Sequence, residues 1–210
     1  MIHAHVEAVK SLKSATANRS YATKATYKTN MSSEILVPHG GYRKLKSFQS
    51  ATIVYDLTVA FCERYVSEWR MRDQMIQAAR SGRQNIAEGC QASATSKKTE
   101  IKLINVARAS QEELLLDYED FLRQKGFVQW DKDNPESKKV RQMAYIENRS
   151  QETYSDYLKD SQDGANVLIC LIHQTNYLLD KQLRRLDEDF RKNGGFTERL
   201  YNVRKNNRKY

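Results

Sequence analysis

The chain has 210 residues, with 35 Lys and Arg against 26 Asp and Glu and a formal net charge of +9. That length can bury a core of one or two domains, and only two prolines and eight glycines leave room for long uninterrupted helices. Cys62, Cys90 and Cys170 are odd in number, far apart and form no CxxC pair, so neither a disulfide framework nor a thiolate zinc site is indicated and a reducing, cytoplasmic setting fits best.

No apolar run approaches the roughly 18–20 residues of a membrane span, so no membrane partner is expected. The charge is unevenly placed. Residues 1–30 carry five Lys and Arg and one acid, and residues 191–210 carry seven and one. The segment between them holds 23 basic and 24 acidic residues. A nearly neutral body with two basic ends suits contact with a polyanion such as nucleic acid, or simply keeps the chain soluble.

Residues 1–33 are rich in Ala, Ser, Thr, Lys and Arg and have no sustained apolar period. They read as a disordered basic arm or as an extension from an early start codon, with Met31 as the natural start. A mitochondrial presequence is the weaker reading. His3 and His5 form an HxH pair with no third ligand nearby. Val37 to Gly41 is a turn. The basic run Tyr42-Arg43-Lys44-Leu45-Lys46 lies between Tyr42 and Phe48. Aromatics beside cations can stack on bases, but the run reads better as a solvated lead-in to a helix.

Four long helices are expected within residues 34–193. The first covers about 46–66, where Phe48, Ala51, Tyr55, Thr58, Cys62 and Tyr65 recur at 3–4 spacing and Val54, Leu57 and Phe61 widen the stripe. Cys62 on that face reads as a small core residue. The second covers about 71–89, on Met75, Ala79, Gly82 and Ile86. Gly82 in mid-helix costs about 1 kcal/mol, which points either to close approach of a neighbour or to a bend. Gly89 reads as a C-terminal stop. Ser96 is placed to cap the third helix, about 97–125, which Gly126 ends. Its small Ala107 and Ser110 permit close contact opposite Gly82 or Ala79.

From Trp130 to Lys159 the pattern weakens. Two shorter helices, 136–147 and 149–159, are expected as an insertion (130–160) packed on the outside of the bundle, with Tyr145, Tyr154, Tyr157 and Leu158 as a thin apolar edge that covers the main core. The fourth long helix covers about 163–192. Its wide apolar arc, from Ala165 and Leu168 to Leu186, leaves part free to face another subunit. His173 beside that arc reads as an interior or interface histidine. Phe196, Leu200 and Val203 allow two helical turns in a basic tail, 194–210.

Catalytic chemistry finds little support. No histidine has a Glu three residues before it, as a di-metal carboxylate bundle needs, and there is no GxGxxG or GxxxxGK[ST] phosphate loop. The Asp187-Glu188-Asp189 cluster reads as a solvated face. No catalytic residue, metal or cofactor is therefore expected.

One stretch is more specific. Asn85-Ile86-Ala87-Glu88-Gly89, a short polar link, Lys97 to Glu100, Ala107-Arg108-Ala109-Ser110, Glu113-Leu114 and Gly126-Phe127 together resemble the bacterial four-helix bundle family. That family includes proteins encoded in intervening sequences of large-subunit ribosomal RNA genes and the accessory variability protein of diversity-generating retroelements. The basic flanks and the insertion look like its four helix bundle suffix domain branch. The resemblance implies an all-α, antiparallel up-and-down four-helix bundle. It further implies a homo-oligomer, five-fold in relatives, with a basic surface, a nucleic-acid or reverse transcriptase partner, and no enzymatic activity.

Two readings of function follow. The first is an RNA- or DNA-binding accessory protein. Its contacts would be Arg80, Arg83, Lys97, Lys98 and Lys102 at one helix-link-helix corner, and Arg199, Arg204, Lys205, Arg208 and Lys209 in the tail. The second is a protein-interaction scaffold with no nucleic-acid role. The best-matched residues, Asn85, Glu88, Gly89, Arg108, Ser110 and Glu113, are expected to act as a structural lock, with Glu88 and Arg108 paired across two helices and Asn85 bonded beside them.

Overall fold

The computed structural model describes residues 40–208, which are helical and contain no strand. A 3₁₀ turn at Tyr42–Lys44 leads into α1 (Lys46–Tyr65). Then come α2 (Trp69–Ala92), α3 (Lys97–Lys125), the short α4 (Pro135–Met143), a 3₁₀ segment (Gln151–Lys159), α5 (Ser161–Asn193) and α6 (Phe196–Asn207). The described chain divides after Glu198 into two compact units, and residues 199–208 belong to the second. No described helix is long and apolar enough to cross a membrane. The expected arm at 1–33 lies outside the described residues.

Local sequence accounts for the ends of these helices. The Ser96 hydroxyl accepts from Thr99 N at 3.1 Å, so it caps α3 as expected, and Gly126 closes that helix at a φ of 69°. Asn134 caps α4, with Pro135 in its first turn. Asp160 accepts from Gln162 N and Asp163 N at the start of α5. Gly89 corrects one expectation. It does not end a helix, because α2 runs on to Ala92. Glycine is needed there for closeness: a Cβ would stand 3.3 Å from the Glu100 carbonyl oxygen and from Leu103 Cβ on α3.

Side-chain contacts set the helix directions. Near the α1–α2 connection Cys62 Sγ lies 3.9 Å from Met75 Sδ, and farther from it Arg83 lies over the Tyr55 ring. Near the α2–α3 link Gly89 packs on Leu103, and farther from it Ser110 Oγ bonds Ser81 Oγ at 3.0 Å. Ser47 reaches Gln182 at the start of α1, while Phe61 near its end packs on Gly164. Lys97 meets Asp189 and Arg108 meets Asp180. Each of the pairs α1–α2, α2–α3, α1–α5 and α3–α5 is therefore antiparallel.

The core has two apolar clusters. The larger is built around Phe61, Leu114, Tyr118, Leu122, Leu168 and Ile172, and the smaller around Ala51, Ile86, Ile104, Ala107, Leu179 and Leu186. Burying each such large side chain contributes about 1.5–3 kcal/mol. A polar layer falls between the clusters along α2, α3 and α5, at Gly82, Gln111 and Thr175. Thr175 donates to the Leu171 carbonyl, so Ser50 is the donor in its 2.8 Å bond with Thr175. Gln111 is fully buried, and no group bonds either of its amide atoms. Of the two readings of Gly82, close approach is realised: the Gln111 side chain lies over it. Cys62 is a buried core thiol, and burial pushes its pKa up to about 12.

Two further expectations change. The stretch after Trp130 packs onto the main core, where Val140, Tyr154 and Leu158 are buried in the larger cluster. Its second part is a 3₁₀ segment, and it is tied to α1 where Tyr65 and Arg64 donate to the Leu158 carbonyl. Most of the wide arc of α5 is consumed inside the molecule, while at its flanks Leu178 and Leu183 are half-buried and Phe190 is exposed. Leu168, Ile169, Leu171, Ile172, Leu179 and Leu186 are all buried, because α1, α3, α4 and the 3₁₀ segment pack around it.

Candidate nucleic-acid interface

The corner residues expected to bind phosphate do not act as one group. Arg80 and Arg83 stand 12 and 9 residues before the end of α2 at Ala92. That is about 18 and 14 Å along the helix axis from the link. Arg83 is also engaged, with its guanidinium 4.2 Å from the Tyr55 ring centroid. Lys97 bridges Glu100 at 3.1 Å and Asp189 at 3.3 Å. Burial works against its charge, but the two carboxylates outweigh burial and hold its pKa above the ordinary lysine value. Lys98 and Lys102 near the link, and Arg80 farther along α2, remain exposed without an ion pair among the described residues. Of the tail residues, Arg204, Lys205 and Arg208 are exposed in the second unit and Arg199 is half-buried in α6. Lys209 lies outside the described residues.

The lock also forms differently. Arg108 Nε donates to Asp180 Oδ1 at 2.6 Å, and its Nη1 stands 4.0 Å from Glu112 Oε2. The expected Glu88–Arg108 pair is absent, and Glu88 and Glu113 face solvent. The reason is reach: α5 lays Asp180 beside Arg108, while Glu88 sits on the outer side of α2. Asn85 Nδ2 donates within its own helix, to the Ser81 carbonyl at 2.9 Å and to Ser81 Oγ at 3.1 Å. Ser110 completes that chain from α3. Gly89 contributes by its missing side chain alone.

A different set of cations converges. A groove of about 650 Å³ opens between the start of α1, the start of α3 and the second half of α5. Lys44 from the 3₁₀ turn, Lys46 from α1, and Lys181 and Arg185 from α5 line it, and all four are exposed. Lys181 and Arg185 are four residues apart and so share one helix face. The lining acids are Glu100 and Asp189, and Lys97 bridges them to each other. Burial raises the Glu100 pKa despite that cation. Cys90 at the groove donates to the Gly40 carbonyl, and burial raises its thiol pKa too, so it stays protonated at neutral pH.

Sequence reading missed this groove. The available signal was the Tyr42–Lys46 run, whose lysines face the groove across from α5. Lys181 and Arg185 carry no local signal, because only folding brings them to Lys44 and Lys46. No family model, curated protein or solved structure matches the chain.

Proposed function

We propose that this chain is a non-enzymatic, oligomeric accessory protein that binds RNA or DNA through the groove of Lys44, Lys46, Lys181 and Arg185. In this reading α1, α2, α3 and α5 form an up-and-down four-helix bundle, and α4 with the Gln151–Lys159 segment is its helical insertion. The observation that carries the binding role is convergence. Four exposed cations from three elements face one groove, while its two acids are held by Lys97. Such a site attracts phosphate by releasing counterions.

Assembly of several copies, five by the family resemblance, would repeat the groove and multiply weak contacts. Outward apolar side chains on α3, Val106 and Leu116, offer a surface for it. A reverse transcriptase or another protein partner belongs to the same resemblance. The alternative is a protein-interaction scaffold with no nucleic-acid role, favoured by the exposure of Trp69 and Leu116.

Anisotropy titrations with RNA and with DNA between about 50 and 200 mM salt test the binding reading. Affinity falls steeply with salt, and Lys44→Ala with Lys181→Ala lowers the slope of log K against log salt by about 1.5. Affinity that ignores salt, or no binding at the lowest salt, rejects this function and leaves the scaffold. Mass in solution tests the oligomer, and a monomer at micromolar concentration rejects it.

A further inference from the structure

A second cavity, of about 420 Å³, adjoins the α5 face that carries the groove. Trp130, Arg141, Ile169, Cys170, His173 and Tyr177 are among its lining residues. His173, expected as an interior or interface histidine, is exposed there rather than interior, and Tyr177 is 59% exposed. His173, Tyr177, Lys181 and Arg185 recur every four residues, so they form one stripe about 18 Å long on α5. The first two line the cavity and the last two line the basic groove. Cavity and groove are thus consecutive stations on one helix face.

Two aromatic residues, Trp130 and Tyr177, line the cavity. Trp130 is fixed from its backbone: its N donates to Asn166 Oδ1 at 2.7 Å, and Asn166 Nδ2 donates to the Val128 carbonyl at 3.0 Å. Its indole also meets the Tyr157 ring edge-on at 6.2 Å. Ile169 and Cys170 give apolar walls, and burial raises the Cys170 pKa, which keeps that thiol neutral. Two cations stand at the rim, Lys132 and Arg141, with Arg141 tethered to the Lys132 carbonyl. The one acid there, Asp131, already accepts from Asp133 N at 2.7 Å and Asn134 N at 2.8 Å. At the far side of Tyr177, Lys181 Nζ lies 4.8 Å from its ring centroid.

We propose that the ligand of this face is single-stranded nucleic acid, with its phosphates along Lys181, Arg185, Lys44 and Lys46 and one unpaired base seated between Trp130 and Tyr177. The inference rests on the nucleic-acid reading of the groove and adds strandedness to it. Aromatic faces beside a basic track are the chemistry of single-strand binding, because every base has a face to stack and no sequence need be read. A duplex keeps its bases inside the stack, and extruding one costs several kcal/mol. The cavity therefore selects against duplex while the groove alone does not.

The test uses the full chain with Trp69→Phe, which leaves Trp130 as the sole tryptophan, since the chain has two. Trp69 is largely exposed, so the change leaves the core intact. The probes are a 16-nucleotide single strand, its blunt duplex and a nucleoside monophosphate, each at low salt and each followed by Trp130 fluorescence; anisotropy is read in addition for labelled strand and duplex. Those lengths lie at the upper end of about 4–16 nucleotides for single-strand sites. The expected result is that the single strand quenches Trp130 and binds about tenfold tighter than the duplex. Tyr177→Ala removes about tenfold from single-strand affinity and leaves duplex affinity unchanged. If strand and duplex bind alike and Trp130 does not respond, the base seat is wrong and the groove reading stands. If the monophosphate quenches at the same concentration as the strand, the cavity is a free-nucleotide site and the strand proposal falls. If neither nucleic acid binds by anisotropy, the proposed function itself fails.

Discussion

Gly82 on α2 lies under the side-chain amide of Gln111 on α3, so that a Cβ at Gly82 would overlap the amide nitrogen and stand 3.1 Å from Gln111 Cδ. Gln111 is fully buried, so its amide must shift among packed neighbours and its Cδ and Cγ, at 3.1 and 3.2 Å, must give as well. Two effects oppose each other in Gly82→Ala. Helix propensity favours alanine by about 1 kcal/mol. Overpacking against Gln111 costs about 1–3 kcal/mol. Overpacking wins, and the variant loses about 1 kcal/mol in urea unfolding. In a Gln111→Ala background the overlap is gone, so the same change becomes neutral or stabilising. An equal loss in both backgrounds would show that the glycine is kept for another reason.

The Arg108–Asp180 pair redirects the lock between helices. Both side chains are 39% exposed, so solvent screens the pair despite its 2.6 Å length. Arg108→Ala is expected to cost about 1 kcal/mol or less. A double-mutant cycle with Asp180→Ala assigns most of that to their coupling. Glu88→Gln changes stability by less than about 0.5 kcal/mol, since Glu88 faces solvent. A large loss from Glu88→Gln would restore the pairing that the sequence suggested.

What could be read without coordinates divides by range. The helices were legible because apolar 3–4 spacing, the Ser96 cap and the Gly126 stop act within a few residues. Gly89 was misread because a helix stop and a close helix contact both ask for glycine, and only the Leu103 contact decides between them. The partner of Arg108 was misread because it sits 72 residues away on α5. The surroundings of the expected site residues were hidden for the same reason. Arg83 and Lys97 look free in sequence and are consumed by Tyr55, Glu100 and Asp189 in space, while Lys44 and Lys181 become neighbours of one groove only on folding.

Asp117 gives the molecule a pH-dependent cost. Burial first, then like charge from Glu113 and Asp120 on the same helix, raises its pKa to about 6. A carboxyl raised in the folded state binds its proton more tightly there than in the unfolded chain. Stability from this group therefore rises as pH falls from above 6 towards 4, and the penalty is complete above 6. Asp117 is only half-buried, so the full shift is discounted for screening to about 1 kcal/mol. Asp117→Asn should stabilise the protein by that amount at pH 8 and by nothing at pH 4. Denaturant melts of both proteins at the two pH values check it, and a gain of equal size at both would mean that charge is not the cause.

Tyr154 shows that the segment after Trp130 is part of the core. It is fully buried in the larger apolar cluster, although it belongs to a 3₁₀ segment whose sequence is mostly polar. Its hydroxyl makes one weak contact, from Arg149 Nη1 at 3.3 Å, so the ring carries the energy. Tyr154→Ala removes that ring and leaves a void among the helices, at a cost of about 3–5 kcal/mol. Tyr154→Phe keeps the ring and costs less than about 1.5 kcal/mol. Leu158 is buried in the same cluster, and its carbonyl accepts from Tyr65 on α1 at 2.8 Å. Leu158→Ala is therefore expected to cost about 2–5 kcal/mol as well. Urea unfolding followed by far-ultraviolet circular dichroism measures all three. A segment that merely covered the outside would give losses below about 1 kcal/mol for both alanine variants, and that result would remove α4 and the 3₁₀ segment from the folding unit.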